Sequence, residues 1–316
     1  MKKAFEKLNL RDYGVLLGFL ALCIAISIAT PSFLGKQNIL NLLRQSSIIG
    51  IISAGMTFVI ISGNFDISVG AVAALAGAIT MKFATGGTNL FASMLLGVAI
   101  CAVIGLINGI VVAKINVPSL IATMAMVTIV RGLLLMLTGG YPITENIPIL
   151  DYIGNGYLFN IQIPVVIFFI VVLASFIVLN KTKFGRYVYS VGGNQEASKL
   201  NGINVDSHKV KVFIINAVLA GIAGIVLTGR LGTATAIAGE GYDMDAIASV
   251  VIGGTSVAGG SGSVLKTVIG VLLMSVINNS FNLLGIDVYF QYIFKGLIIL
   301  AAVGFDSYSK KKLASR

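Results

Sequence analysis

Few side chains in this sequence could perform chemistry, and they are widely separated. The chain has one histidine, His208, and two cysteines, Cys23 and Cys101, both within apolar stretches. Nucleophilic catalysis needs a serine or cysteine beside a histidine, and a zinc site needs several histidine or cysteine ligands. Residues 253–264 are rich in glycine but lack the Gly-Lys-Ser/Thr sequence of a phosphate-binding loop. The sequence therefore predicts no catalytic residue and no metal or cofactor site in this chain.

Charged residues within apolar stretches form a second set of candidates. A charge inside a membrane-spanning helix is unfavourable unless it is paired, so such a residue is a functional hypothesis by default. Arg131 and Lys295 lie in such stretches. Each could hold a gate by pairing with an acidic residue, for which Asp66, Glu240 and Asp245 are available. The simpler alternative is that each long side chain extends to the membrane surface and positions its helix.

Polar residues also stand at the ends of apolar stretches. Asp66 precedes one in the sequence GNFDISVG, where helix capping and the lining of a gate are both open interpretations. Asn278, Asn279 and Asn282 close another stretch. Their amides suit a hydroxyl-rich solute, but they equally suit hydrogen bonds between helices. The candidate pathway or gate residues are Asn64, Asp66, Asn279, Asn282 and Lys295.

One long polar segment, residues 181–211, separates the apolar stretches and contains the signals of a short helix. Asn194 is a good N-cap, Glu196 would lie in the first turn, and Gly202 is placed to end the helix. Ala197 and Leu200 form a small apolar stripe, which favours docking to a protein over binding to lipid headgroups. The candidate docking residues are Gly192, Gly193, Asn194, Glu196, Ala197, Leu200 and Gly202.

The composition indicates which elements must position these residues. Only 11% of the residues are charged, mean hydropathy is +0.97, and 37 glycines suit closely packed membrane helices. The net charge of +10 could suggest nucleic-acid binding. Because the basic residues lie in loops and termini, the charge indicates membrane topology instead, and we expect no nucleic-acid partner.

Hydropathy predicts an all-α polytopic membrane protein with about ten transmembrane helices in a single domain, residues 1–316. The predicted spans are residues 13–29, 46–62, 67–84, 90–113, 119–137, 163–179, 212–229, 246–257, 264–279 and 288–305. The eighth is short and interrupted by glycines. Basic residues predict that both termini and the segment 181–211 are cytoplasmic; they include Lys2, Lys3, Lys7, Arg11, Lys310, Lys311, Lys312 and Arg316.

Four segments resemble one family of membrane proteins over about residues 14–305. They are TPSFLGKQNILNLLRQSS (30–47), GMTFVIISGNFDISVG (55–70), GGNQEASKLNGINV (192–205) and GEGYDMDAIASVVIGGTSVAGG (239–260). In content and order they resemble the permease subunits of ribose-type ABC sugar importers, a binding-protein-dependent family of the bacterial inner membrane. The third segment resembles the coupling segment that docks on the ATPase.

The resemblance implies a set of partners and a symmetry. The pore would be a homodimer, or a dimer with a paralogous permease. A cytoplasmic ATPase with two nucleotide-binding domains would bind ATP and magnesium. An extracytoplasmic binding protein would deliver a monosaccharide, for which ribose is the first candidate. Spans two to five and seven to ten would be inverted, pseudo-symmetric halves. The sequence itself indicates this repeat only weakly, through the similar segments at residues 131–134 (RGLL) and 295–298 (KGLI).

Other classes of function remain as alternatives. The nearest is a self-sufficient secondary sugar transporter, which would need a coupling-ion site built from carboxylates near the bilayer midplane. No predicted span has a central Asp or Glu, which counts against it. A membrane enzyme and an ion channel are weaker still, because catalytic clusters and filter-like motifs are missing.

Overall fold

The computed structural model describes residues 10–314, and the surroundings of side chains for residues 14–304. The basic residues 2, 3, 7, 11, 310–312 and 316, on which the predicted orientation partly rests, lie outside the described side chains. Within residues 10–314 the chain forms thirteen α-helices. They are α1 Leu10–Ala29, α2 Lys36–Ile61, α3 Val69–Thr85, α4 Leu90–Ala113, α5 Ser119–Thr138, α6 Pro148–Asn155, α7 Ile163–Lys181, α8 Lys183–Gly193, α9 Gln195–Leu200, α10 Val205–Leu231, α11 Tyr242–Ile252, α12 Val264–Leu283 and α13 Val288–Ala314.

Short extended segments connect some of these helices. A 3-10 turn, Pro31–Leu34, joins α1 to α2. The strands β1 (Ile143–Thr144) and β4 (Thr233–Ala234) pair antiparallel, with Ile143 opposite Ala234. The strands β2 (Tyr157–Leu158) and β3 (Ile161–Gln162) form a hairpin directly before α7. The β1–β4 pair ties the loop after α5 to the loop after α10.

Helix lengths confirm a polytopic membrane protein. Six helices (α2, α4, α5, α7, α10 and α12) are long and apolar enough to cross a bilayer. α3 and the parts of α1 and α13 whose side chains are described, residues 14–29 and 288–304, are shorter apolar helical segments. These nine coincide with nine predicted spans. The predicted eighth span needs correction, since α11 begins at Tyr242 and ends at Ile252, where Gly254 turns the chain with φ of +88°. Its 11 residues reach only about 16 Å.

The centre of the bundle is α10, which packs against α2, α3 and α4. Glycines permit this close packing: a Cβ at Gly109 of α4 would lie 2.7 Å from the Cα of Val210, and one at Gly105 would lie 2.6 Å from the carbonyl oxygen of Phe213. This agrees with small residues at helix interfaces in membranes. Large apolar side chains on α5 and α13 face outward, among them Leu133, Met136, Phe290 and Leu300.

Two short helices begin inside the bundle after a non-helical segment. α3 follows residues 62–68, and Asp66 reaches Asn216 near the middle of α10. α11 follows residues 235–241, and a Cβ at Gly239 would lie 2.7 Å from the carbonyl oxygen of Gly70 in α3. The two helices therefore start close together. Non-helical backbone at membrane depth is tolerated only where protein groups or water satisfy it.

Candidate functional site

The predicted helix in the polar segment is present as α9, residues Gln195–Leu200. The Asn194 side chain accepts the amide of Ala197 at 2.9 Å, as an N-cap does. At the other end, Gly202 has φ of +75° and its amide donates to the carbonyl of Lys199 at 2.9 Å. Glu196 lies in the first turn, where the helix dipole favours an acidic residue. Start and stop signals both lie at the predicted residues.

The apolar stripe of α9 has no partner within the described chain. Leu200 is 89% exposed and Ala197 is exposed, whereas Ser198 faces inward. In the membrane an exposed leucine would need no explanation. Here it stands on a polar segment that carries several charges, and both residues of the stripe face away from the described chain.

A helix that the sequence analysis missed supports α9. α8, Lys183–Gly193, buries Val188 and Val191 and is capped by Thr182, whose hydroxyl accepts the amide of Gly185 at 3.2 Å. His208 stacks against Phe184 with ring centroids 5.8 Å apart, so α8 also contacts the beginning of α10. The signal was present in the sequence as a threonine cap followed by apolar residues at helical spacing.

The end of α8 is packed into the bundle by backbone contacts. A Cβ at Gly192 would overlap the carbonyl oxygen of Ile61, the last residue of α2. The same carbonyl accepts the amide of Gly260 at 2.8 Å. The Tyr189 hydroxyl donates to the carbonyl of Gly262 at 3.0 Å. Burial raises the pKa of Tyr189 above its ordinary value. α8 therefore holds both the end of α2 and the loop that follows α11.

Asp66 lies in a buried hydrogen-bond network and is only 1% exposed. Its carboxylate accepts the amide of Ser68 at 2.9 Å and the Nδ2 of Asn216 at 2.9 Å. Asn108 of α4 donates to the Ser68 hydroxyl at 3.1 Å. Asn64 bonds locally, from its Nδ2 to the carbonyl and hydroxyl of Ser62, both at 3.1 Å. Asp66 thus caps the turn before α3 and fastens α3 to α10.

Asp245 forms the second buried carboxylate site, with Lys295. The ammonium nitrogen of Lys295 lies 3.0 Å from Oδ1 and 3.1 Å from Oδ2, with its hydrogen bond directed at Oδ2. Asn278 donates to Oδ2 at 3.4 Å. Lys295 is thus paired with an acidic residue, which is one of the two alternatives from the sequence. The predicted spans have no central Asp or Glu and the eighth begins at residue 246, but α11 begins early enough to include and bury Asp245.

The remaining candidate amides join helices. Asn279 and Asn38 exchange two hydrogen bonds, of 2.8 and 3.0 Å, between α12 and α2. Asn282 accepts the Nε2 of Gln291 at 3.2 Å, which connects α12 to α13. These contacts match the alternative that the amides bond between helices.

Arg131 holds the non-helical segment before α11. Its Nη1 donates to the carbonyl of Ala236 and, at 3.1 Å, to that of Ala238. Beside it lies a cavity of about 640 Å³ between α3, α5, α11 and α13. Sequence reasoning missed this cavity because its walls come from residues far apart in the chain.

Comparison with known proteins gives this arrangement its context. Residues 38–303 match the family described as branched-chain amino acid transport system / permease component. The chain belongs to this family of permeases. The match covers well over half of the chain and confirms that it is the permease component of a transport system and a multi-pass membrane protein.

Several permeases are similar to the chain over nearly their full lengths. A ribose import permease protein of Haemophilus influenzae is 43% identical over 93% of this chain and 94% of its own. One of Bacillus subtilis is 42% identical over 94% of this chain and 93% of its own. The L-arabinose transport system permease protein of Escherichia coli is 35% identical over 95% and 92%. These similarities confirm the resemblance to ribose-type permeases. No solved structure matches the chain.

Within the permease, the two groups of candidates are arranged differently. The seven docking candidates follow one another along the end of α8, through α9 and into the turn after it. The five pathway candidates are divided among the turn before α3, the α2–α12 contact, the α12–α13 contact and the Asp245–Lys295 pair. The docking candidates therefore lie in one continuous stretch of the chain, whereas the structure does not bring the pathway candidates together.

Proposed function

We propose that this chain is the permease subunit of an ATP-driven importer that carries a monosaccharide across the bacterial inner membrane. The supporting observation for the substrate class is similarity over almost the full chain to permeases named for ribose and for L-arabinose. Ribose is the first candidate, since two of these three relatives are named for it.

The proposed topology has ten crossings, with both termini and residues 181–211 on the cytoplasmic side of a single transmembrane domain. In it, α11 makes one crossing together with the non-helical segments on either side. The halves α2–α5 and α10–α13 would be inverted repeats. The two interrupted helices, α3 and α11, take equivalent places in those halves and start close together, as expected for such a repeat.

The proposed partners are a cytoplasmic ATPase, an extracytoplasmic sugar-binding protein and a second permease, either a copy of this chain or a paralogue. The ATPase would carry two nucleotide-binding domains and would hold ATP and magnesium. Its docking surface on this chain would be Gly192, Gly193, Asn194, Glu196, Ala197, Leu200 and Gly202. The lipid bilayer surrounds the remaining apolar faces.

The coupling of ATP binding to the gate is supported by one observation. The apolar stripe of α9 is exposed, and α9 is connected to the helix bundle through α8. A displacement of α9 would pull on Gly192 and Tyr189, which contact the end of α2 and the loop after α11. That loop continues α11, whose Asp245 is paired with Lys295. ATP binding on the partner would thereby change the α11–α13 contact and open a gate. The other pathway candidates would form hydrogen bonds that keep the surrounding helices in place while the gate moves. They are Asn64, Asp66, Asn279 and Asn282.

The test removes the docking surface in two ways. One variant replaces residues 194–202 with a glycine–serine linker, and the other is Leu200→Glu. Leu158→Glu is the matched control, because Leu158 is also exposed but lies in the hairpin before α7, at the end away from α8. The measurements are uptake of labelled ribose by cells, membrane abundance, and retention of an ATP-binding polypeptide on purification in mild detergent.

We expect both docking variants to lose uptake and the ATP-binding polypeptide at normal abundance, while Leu158→Glu keeps both. Uptake that survives the linker variant would contradict the docking assignment. If uptake also continues on an ion gradient without ATP, the chain is a secondary transporter.

A further inference from the structure

The cavity beside Arg131 lies at the depth of the membrane and is large enough for a small solute. Its volume of about 640 Å³ is within the usual range for small-molecule sites, about 300–1,000 Å³. Arg131 is the thirteenth residue of α5, about 18 Å along the helix from its start. In a hydrocarbon core about 30 Å thick, that position is near the middle.

The walls of the cavity combine apolar surface with a few polar groups. Ile67, Val127 and Met244 supply apolar surface, and Tyr292 presents an exposed ring. Polar groups come from Thr128, Arg131, Glu240 and Asp243. An apolar lining with a small number of convergent polar groups is the pattern of a site that orients one ligand.

The Arg131 guanidinium has further N–H donors besides those that bond to the neighbouring backbone carbonyls. The hydrogen bonds of its guanidinium to described residues, those to the carbonyls of Ala236 and Ala238, both come from Nη1. A guanidinium carries five N–H donors, so those on Nε and Nη2 remain for a ligand. The backbone contacts also fix where the guanidinium lies.

Two carboxylates complement these donors. Glu240 is exposed and Asp243 is partly exposed on the cavity wall, and both are close enough for their charges to act on Arg131. Ionised carboxylates accept hydrogen bonds and cannot donate them. With one cation and two anions the site has a slight negative charge, which disfavours a phosphorylated or carboxylated solute. An uncharged polyhydroxy compound can donate to the carboxylates and accept from the guanidinium.

We propose that this cavity holds the transported sugar part-way through the bilayer. Glu240 and Asp243 accept hydrogen bonds from sugar hydroxyls, Arg131 donates to sugar oxygens, and the ring of Tyr292 covers an apolar face of the sugar. This inference rests on the proposed function and adds a sugar site on α5 and at the beginning of α11. None of the pathway candidates from the sequence lines this cavity, although Lys295 lines the adjoining one.

The experiment measures whether sugar protects the cavity from alkylation. Thr128→Cys is introduced into a Cys23→Ala parent, which retains the fully buried Cys101. Permeabilised membranes are treated with N-ethylmaleimide in the presence or absence of D-ribose, D-xylose or L-arabinose, whichever sugar the parent imports. D-ribose 5-phosphate is the charged comparison. Leu200→Cys on α9 is the control, because it is exposed but lies outside the cavity.

We expect the imported sugar to slow labelling of Thr128→Cys several-fold at millimolar concentration, without changing the labelling of Leu200→Cys. Adding Glu240→Gln and Asp243→Asn together should remove the protection, and ribose 5-phosphate should give none. Uptake by the Cys23→Ala parent tests the proposed function separately.

Three results would overturn the site. The first is equal labelling with and without sugar while the parent still imports it. The second is a Thr128→Cys thiol that does not react even without sugar, since the cavity would then hold no water. The third is equal protection by the sugar phosphate, which would contradict the role of the carboxylates.

Discussion

The two short helices that begin inside the bundle, α3 and α11, hold their buried carboxylates in different ways. Among the residues that the structure describes, Asp66 before α3 accepts hydrogen bonds only from uncharged groups, those of Ser68 and Asn216. Asp245, in the first turn of α11, is paired with the ammonium group of Lys295. The helices that hold these carboxylates also differ in their packing. α3 packs against α4, α5 and α10. α13, which carries Lys295, makes its main described contact with α11 alone.

The difference separates a fixed part of the permease from a part that can change. The network of Asp66 lies within helices that pack tightly on all sides, so breaking it would expose several polar groups to a dry interior. The Asp245–Lys295 pair is partly open, with Lys295 23% exposed. Water that enters the neighbouring cavity can hydrate these two charges when they separate. We therefore expect transport motions to change the α11–α13 contact and to leave α3 in place.

The largest effect should come from disturbing the packing of α3. In Gly224→Ala, the new Cβ would overlap the backbone carbonyl of Ala73 in α3. Overpacking of this kind costs about 1–3 kcal/mol or more, because backbone must move. We expect loss of most folded protein and of uptake. The measurement is membrane abundance together with the melting temperature in detergent.

The matched control for this change lies in α13. Gly296→Ala makes the same substitution where a Cβ would meet nothing within 4 Å. We expect normal abundance and an unchanged melting temperature. Equal loss in both variants would mean that α3 is no more tightly constrained than α13.

The contrast between these helices could be predicted only in part from the sequence. Hydropathy located nine helices, because each apolar run is long and local. The ends of α9 were predicted because Asn194 and Gly202 act on residues three or four positions away. Asp66 and Asn216 are separated by 150 residues, and Asp245 and Lys295 by 50. Such pairings depend on how helices pack, so the sequence offered Lys295–Asp245 as one of several alternatives and did not reveal Asp66–Asn216.

A smaller but more specific effect should follow from Lys295→Met. The variant leaves the buried Asp245 carboxylate without its cation, which destabilises the contact between α11 and α13. Because Lys295 is partly exposed, the cost to the stability of the whole protein is smaller than for a fully buried pair. We expect uptake to fall about tenfold or more at near-normal abundance. The measurement is initial uptake rate per amount of permease in the membrane.

A double-mutant cycle distinguishes a lost pair from a damaged helix. Asp245→Asn removes the charge that Lys295→Met leaves unpaired, so the double variant should transport better than Lys295→Met alone. If the losses of the two single variants simply add, the pair has no role of its own in the gate. Full uptake by Lys295→Met would remove Lys295 from the gate altogether.

The smallest effect should come from Asp66→Asn, although Asp66 is the more deeply buried carboxylate. The substituted amide keeps an oxygen that can accept the amide and hydroxyl of Ser68, but it presents N–H groups to the Nδ2 of Asn216. Asn216 can rotate its amide, because its Oδ1 has no hydrogen-bond partner among the described residues. Rotation places the Asn216 Nδ2 where its Oδ1 lay, so the rebuilt network exchanges one unsatisfied acceptor for one unsatisfied donor.

We expect Asp66→Asn to lower stability by about 1 kcal/mol, the usual net contribution of one hydrogen bond, and to leave the uptake rate per permease nearly unchanged. Asp245→Asn, the same chemical change in α11, should instead reduce that rate, since it removes the charge that holds Lys295. The melting temperature and the uptake rate of both variants are measured side by side. A loss of uptake in Asp66→Asn as large as in Lys295→Met, at normal abundance, would mean that α3 moves during transport and that the two interrupted helices form a symmetric gate.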